Sequence, residues 1–200
     1  IYYGLSFVNA NVAVDAYRYA LSLKANSLLP FSDFFKIVGG LYSDTTVDII
    51  EPLISFIVSR FTSDHGLYFG VWAAIFGYFY LKSITLIYDR YIVEQNMNTI
   101  LLMAFFVMTI PVTMISGVRM WTAAWIFFYG AFRVITEKNP RFLFISFSAV
   151  FVHWSFISAN AILLIYYLIG NRNIIYIPLA VSSFILPRLM APVFRVLALR

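Results

Sequence analysis

Polar and apolar positions divide this chain into a mixed opening stretch followed by a series of apolar runs. Residues 1 to 48 carry a polar group every few positions and hold no run of about 20 apolar residues. Asn11 is placed to cap a helix reaching about Lys24, on which Asp15, Arg18, Tyr19 and Ser22 recur at spacings of three and four and share a polar face. Val12, Ala13, Ala16, Ala20 and Leu23 supply an apolar face, which suits a helix lying in a membrane interface or against a bundle. Asp33 is placed to cap a second short helix that Gly39 and Gly40 would end. Asp48 and Glu51 resemble a capping box before an apolar run that stops at Arg60, with Pro52 in its first turn. A run of about 12 residues is only about 18 Å long, against a hydrocarbon core of about 30 Å, so residues 49–61 are expected to dip in and return.

Five longer runs follow. Residues 66–88 form the first expected span, with Lys82 free to snorkel near one end. A polar loop at 89–97 (Asp89, Arg90, Glu94, Gln95, Asn96) leads to a second span over 98–115 that contains Pro111. Such a proline often marks a kink against a cavity. Ser116 and Gly117 make a turn, and the third span, 118–135, has Arg119 in its first turn. After the polar loop 136–141 comes an apolar stretch over 142–169, about 42 Å if helical. It must tilt strongly or break, and His153 to Ser155 is the expected break. A turn at 170–173 and a last span at 174–187 complete the pattern. The expected fold is all-α: a polytopic transmembrane helical bundle, one integral membrane domain over 1–200, with a short re-entrant helix and an interfacial N-terminal segment over 1–48. No internal repeat, low-complexity tract or heptad pattern interrupts it.

Composition strengthens the membrane reading. The 200 residues are 62% hydrophobic and only 12% charged, against roughly a quarter charged in soluble domains. So large an apolar excess does not fit inside one soluble domain of this size and must face lipid. Cysteine is absent, which removes disulfides, thiolate metal sites and a cysteine nucleophile together. The net charge is +5, but the basic residues sit at the ends of apolar runs, where they act as orientation anchors and form no nucleic-acid patch. Lys82, Arg90, Arg133, Lys138 and Arg141 fall on one side, and Arg60, Arg119 and Arg172 on the other, so the first side is expected to be cytoplasmic. That places Asp15, Glu51 and Arg119 at the outer face. The first residues show no cleavable signal. A chain that opens at Ile1 and stops just after an apolar run reads as a piece of a longer polytopic protein.

Arg119 is the sharpest chemical signal. A guanidinium at a helix start can bind a phosphate bidentately, assisted by the free amides there, or it can anchor to lipid headgroups. Ser146, His153 and Asn160 recur every seven residues and form a polar stripe, kept narrow by Ala149. The stripe faces either a neighbouring helix or a substrate cavity in which the histidine would exchange a proton near neutral pH. Asp15 either joins that chemistry or pairs with Arg18 or Tyr19, and Glu51 either joins it or stabilises its helix start. Trp121 and Trp154, near the outer mouth, are placed to stack on sugar rings. No H-E-x-x-H or other metal spacing occurs, since His65 and His153 lie far apart, and no phosphate-binding glycine loop or G-x-S-x-G turn is present.

Four short motifs in order resemble the EpsG-like branch of bacterial polysaccharide polymerases, related to the Wzy-type O-antigen and capsule polymerases. They are Asp-Ala-Tyr-Arg-Tyr at 15–19, Glu51 with its apolar run and Phe-Thr-Ser at 61–63, Gly-Val-Arg-Met with Thr-Ala at 117–123, and His-Trp-Ser at 153–155. Together they cover nearly the whole chain. Met120 departs from the pattern, where a glutamine is expected after the arginine. The resemblance implies a multi-pass protein of the bacterial inner membrane that joins undecaprenyl-diphosphate-linked oligosaccharide repeat units into exopolysaccharide, capsule or O-antigen at the outer face. Arg119, His153, Asp15 and Glu51 would be its catalytic set, with Arg18, Tyr19, Trp121 and Ser155 contacting substrate. No cofactor or metal is called for, because the lipid diphosphate is itself the leaving group. Partners would be the lipid-linked oligosaccharide, the bilayer and other polysaccharide export or assembly proteins, with no nucleic acid. A transporter or flippase for the same lipids, or a ligase or acyltransferase at the same face, shares these features.

Overall fold

The structure, a computed structural model, describes residues 15–33, 48–91, 96–109, 117–174 and 176–178. Among these the chain is all-helical and contains no strand. The α-helices are α1 (Asp15–Ser27), α2 (Ile50–Ser59), α3 (His65–Tyr91), α4 (Met97–Thr109), α5 (Val118–Glu137), α6 (Arg141–Val152) and α7 (Phe156–Ile169), with a 3₁₀ turn at Phe31–Asp33. The helix expected after Asp33, its glycine stop at Gly39 and Gly40, the Asn11 cap and Pro111 lie outside the described residues, as does most of the expected span 174–187. Among the described residues one helix, at His65–Arg90, is long and apolar enough to cross a membrane. The apolar helices α2, α4, α6 and α7 are shorter.

Local sequence explains where these helices begin and end. Asp64 Oδ1 accepts the Gly66 amide at 2.7 Å, a side-chain cap that starts α3. Asn96 Oδ1 accepts the Thr99 amide at 2.9 Å and starts α4 in the same way. The expected polar loop 89–97 is shorter than its composition suggests, because α3 runs through Asp89 and Arg90. There the Arg90 guanidinium donates to the Thr136 carbonyl at 3.1 Å. The loop 136–141 contracts to three residues, with Lys138 in a left-handed conformation (φ 53°) that closes α5.

The compact unit Ile1–Ile162 holds most of the packing. Helix α5 packs most extensively on α6, then α3 on α5 and α1 on α2. The α5–α6 approach is very close: a Cβ added at Gly130 would lie 2.4 Å from the Ser146 amide nitrogen, so only glycine fits there. Tyr19, Leu23, Tyr68, Phe69, Trp72, Val118, Ala123 and Ile126 belong to one buried cluster, and Phe76, Tyr80 and Trp125 to a second. On α1 the buried face is Tyr19, Leu23 and Asn26, with Arg18 exposed. The expected division put Tyr19 and Leu23 on opposite faces, yet residues four apart lie side by side on a helix. Asn26 donates to Ser55 Oγ at 3.0 Å. Arg60 donates to the carbonyls of Asn26 and Leu29, which fastens α1 to α2.

The long apolar stretch breaks rather than tilts. His153 is extended (φ −151°, ψ 114°) and ends α6, and α7 begins three residues later. Ser146 Oγ donates to Asn160 Oδ1 at 2.7 Å, and Asn160 Nδ2 donates to the Ser146 carbonyl at 3.2 Å. In one continuous helix residues fourteen apart would lie about 21 Å from each other, so the chain turns sharply between them. The expected stripe is therefore not a face of one helix: Ser146 and Asn160 pair with each other, and His153 sits in the turn.

The second unit, Leu163–Arg200, begins within α7. Gly170 (φ 77°) closes that helix, and the Tyr176 hydroxyl donates to its carbonyl at 3.0 Å.

Candidate functional site

Arg119 occupies the first turn of α5, where the helix dipole is positive and disfavours a cation. It is held there by an anion. Arg119 Nη1 donates to Asp48 Oδ2 at 2.7 Å, across 71 residues of sequence. The guanidinium also lies over the Tyr19 ring, 5.1 Å from its centroid. Its Nε is buried and has no hydrogen-bond partner among the described residues, a deficit that typically costs about 1–3 kcal/mol.

Asp48 is buried, at 9% exposure, and uses both of its oxygens. Oδ1 accepts the backbone N–H of Trp154 at 2.7 Å, in the turn between α6 and α7. The next amide, that of Ile49, donates to the Phe151 carbonyl at 3.0 Å. The capping box expected from Asp48 and Glu51 does not form, since Ile49 is the N-cap of α2 and no side chain caps that helix. Long-range partners hold both carboxylates instead.

Glu51 is buried at 7% exposure in the first turn of α2 and accepts from the Tyr68 hydroxyl at 2.9 Å. Burial pushes its carboxyl above the ordinary range. The Tyr68 hydrogen bond and the Arg119 charge pull it back, while the Asp48 charge raises it further. A carboxyl so placed exchanges its proton closer to neutrality than an exposed one does.

His153 lies in the turn that Asp48 grips. Its Nδ1 is 2.8 Å from Ser155 Oγ, and both Trp154 and Ser155 are exposed.

The structure thus gathers Tyr19, Glu51 and Arg119 round Asp48, and places His153 and Ser155 in the turn that Asp48 holds. Trp121, two residues beyond Arg119, points to another side of α5 and packs against the Phe76, Tyr80 and Trp125 cluster. Arg18 is exposed on α1. Asp15 begins α1, and its side chain lies outside what is described. Sequence reasoning did not single out Asp48 as the partner of Arg119, nor Tyr68 as that of Glu51. The signal for Asp48 was the requirement that a guanidinium at an apolar helix start have a counter-ion. No protein-family model, curated protein or solved structure matches this chain.

Proposed function

We propose that this protein is a polytopic glycosyltransferase of the bacterial inner membrane, which polymerises undecaprenyl-diphosphate-linked oligosaccharide repeat units at the outer face. The observation that carries the reading is the Arg119 cluster: a cation with an unused buried donor, set among two buried carboxylates and tied to the turn that bears His153. Large apolar side chains left exposed along the helices, such as Leu102, Phe105 and Met108 on α4 and Phe144 and Phe147 on α6, support a lipid environment.

In this reaction the acceptor sugar hydroxyl attacks the anomeric carbon of the donor. A new glycosidic C–O bond forms, and the C–O bond to the lipid diphosphate breaks, with its electron pair leaving on the diphosphate. Arg119 holds the negative charge of that leaving group. The proton of the acceptor hydroxyl passes to His153 or to a carboxylate, Glu51 or Asp15. Tyr19, Arg18 and Ser155 complete the substrate contacts in this scheme, while Trp121, packed into the neighbouring aromatic cluster, takes no part.

The experiment is elongation by the purified protein in detergent, supplied only with its undecaprenyl-diphosphate repeat unit. A ladder of products, lost in Arg119→Ala and in His153→Ala, is the expected result. No ladder, with movement of the lipid-linked sugar across a sealed vesicle, would replace the polymerase with a transporter.

A further inference from the structure

Asp48 lies two residues before α2, yet none of its hydrogen-bonding capacity serves that helix. Oδ2 takes the Arg119 guanidinium and Oδ1 the Trp154 amide, each at 2.7 Å, on segments 71 and 106 residues away. The Trp154 amide needs an acceptor because α6 ends at the extended His153. The Ile49 to Phe151 hydrogen bond clasps the same turn from the neighbouring residue. Only a carboxylate has two charged acceptors on so short a stem.

We infer that Asp48 is a positioning residue: its carboxylate fixes the start of α5, with Arg119, against the turn between α6 and α7, with His153, so that Arg119 meets the donor and His153 the acceptor in one geometry. The role in elongation rests on the polymerase reading. The mechanical link stands apart from it.

The chain has no cysteine, so Met120→Cys and Ile157→Cys, both at exposed positions, give a unique spin-label pair across the link. The protein in detergent should give one narrow distance distribution. Asp48→Asn keeps the shape but presents an amide where Arg119 needs an anion, and should broaden or shift the distribution. Trp154→Pro removes the other partner, the amide, together with an exposed indole that makes no part of the link, and suits a turn in which residue 153 is already extended. It should broaden the distribution as well, and it decides the matter alone if Asp48→Asn does not fold. An unchanged distribution in folded Asp48→Asn or Trp154→Pro overturns the link.

In the elongation assay Asp48→Asn should lower kcat by about 10²-fold and leave KM little changed. A raised KM with kcat unchanged overturns the positioning role. A wild-type protein that makes no ladder overturns the polymerase reading instead and leaves the distance test intact.

Discussion

The two ends of the α3, α5 and α6 packing treat an arginine in opposite ways. At the end near residue 137, Arg133 donates to both oxygens of Glu137, four residues along the same helix, at 2.8 and 2.9 Å. It also donates to the Tyr129 hydroxyl and stacks over the Phe142 ring. Arg90 reaches the same Glu137 at 4.0 Å. Every partner of Arg133 comes from α5 or the start of α6, and the guanidinium is well satisfied. At the other end Arg119 depends on Asp48, which the fold brings from 71 residues away, and its Nε has no acceptor among the described residues. A locally satisfied charge holds a helix end in place. A charge that needs tertiary structure, and still has a donor to spare, is the better candidate for receiving a ligand.

The largest effect expected from this contrast is that of Arg119→Ala. Removing the cation leaves the buried Asp48 carboxylate without its counter-ion and takes from Glu51 the positive charge beside it, which should cost about 3–5 kcal/mol in denaturant-driven unfolding in detergent. Arg119→Lys keeps the charge and should recover much of that loss. Tyr68→Phe comes next. It takes away the hydroxyl that Glu51 accepts from, at a cost of about 1–3 kcal/mol in the same measurement.

Glu51→Gln should alter the pH dependence at the Arg119 end. Burial raises the folded value of this carboxyl above its unfolded one. Its favourable contribution is therefore fully present below the unfolded value and is lost as pH rises through the folded value. The Gln variant should gain stability relative to wild type as pH climbs from the acid side, read by unfolding at a series of pH values. The smallest effect belongs to the other end. Glu137→Gln should change stability by about 0.5 kcal/mol, diminishing with added salt, because the pair is an i,i+4 contact on side chains that still reach solvent or headgroups, 28% and 24% exposed. A large, salt-insensitive loss in Glu137→Gln would erase the contrast between the ends.

What the sequence revealed followed from local rules. The all-helical class, the existence of α3 as a long apolar helix and the break at His153 to Ser155 all come from run length set against the rise of a helix, whereas the end of α3 at Tyr91 lies beyond the expected one at 88. Contacts between distant segments were not legible. Asp48 beside Glu51 reads locally as a capping box, and only the fold turns one carboxylate to Arg119 and Trp154 and the other to Tyr68. Ser146, His153 and Asn160 look like a stripe while one helix is assumed, and the sharp turn between α6 and α7 dissolves it. Trp121 sits near Arg119 in sequence, but two residues along a helix is more than half a turn, and the neighbouring aromatic cluster absorbs its ring. On α1 the hydroxyl of Tyr19 marks it as polar, but its spacing puts it beside Leu23, and its large ring buries readily.

The most direct test of the account compares single substitutions at the two ends in one assay. Purified wild-type, Glu137→Gln and Arg119→Lys proteins, each shown to be folded, would be given undecaprenyl-diphosphate-linked repeat units and their products separated by length. The account predicts ladders from wild type and Glu137→Gln and none from Arg119→Lys, because an ammonium cannot reproduce the bidentate grip on a diphosphate. A full ladder from Arg119→Lys, or one lost only in Glu137→Gln, would contradict it.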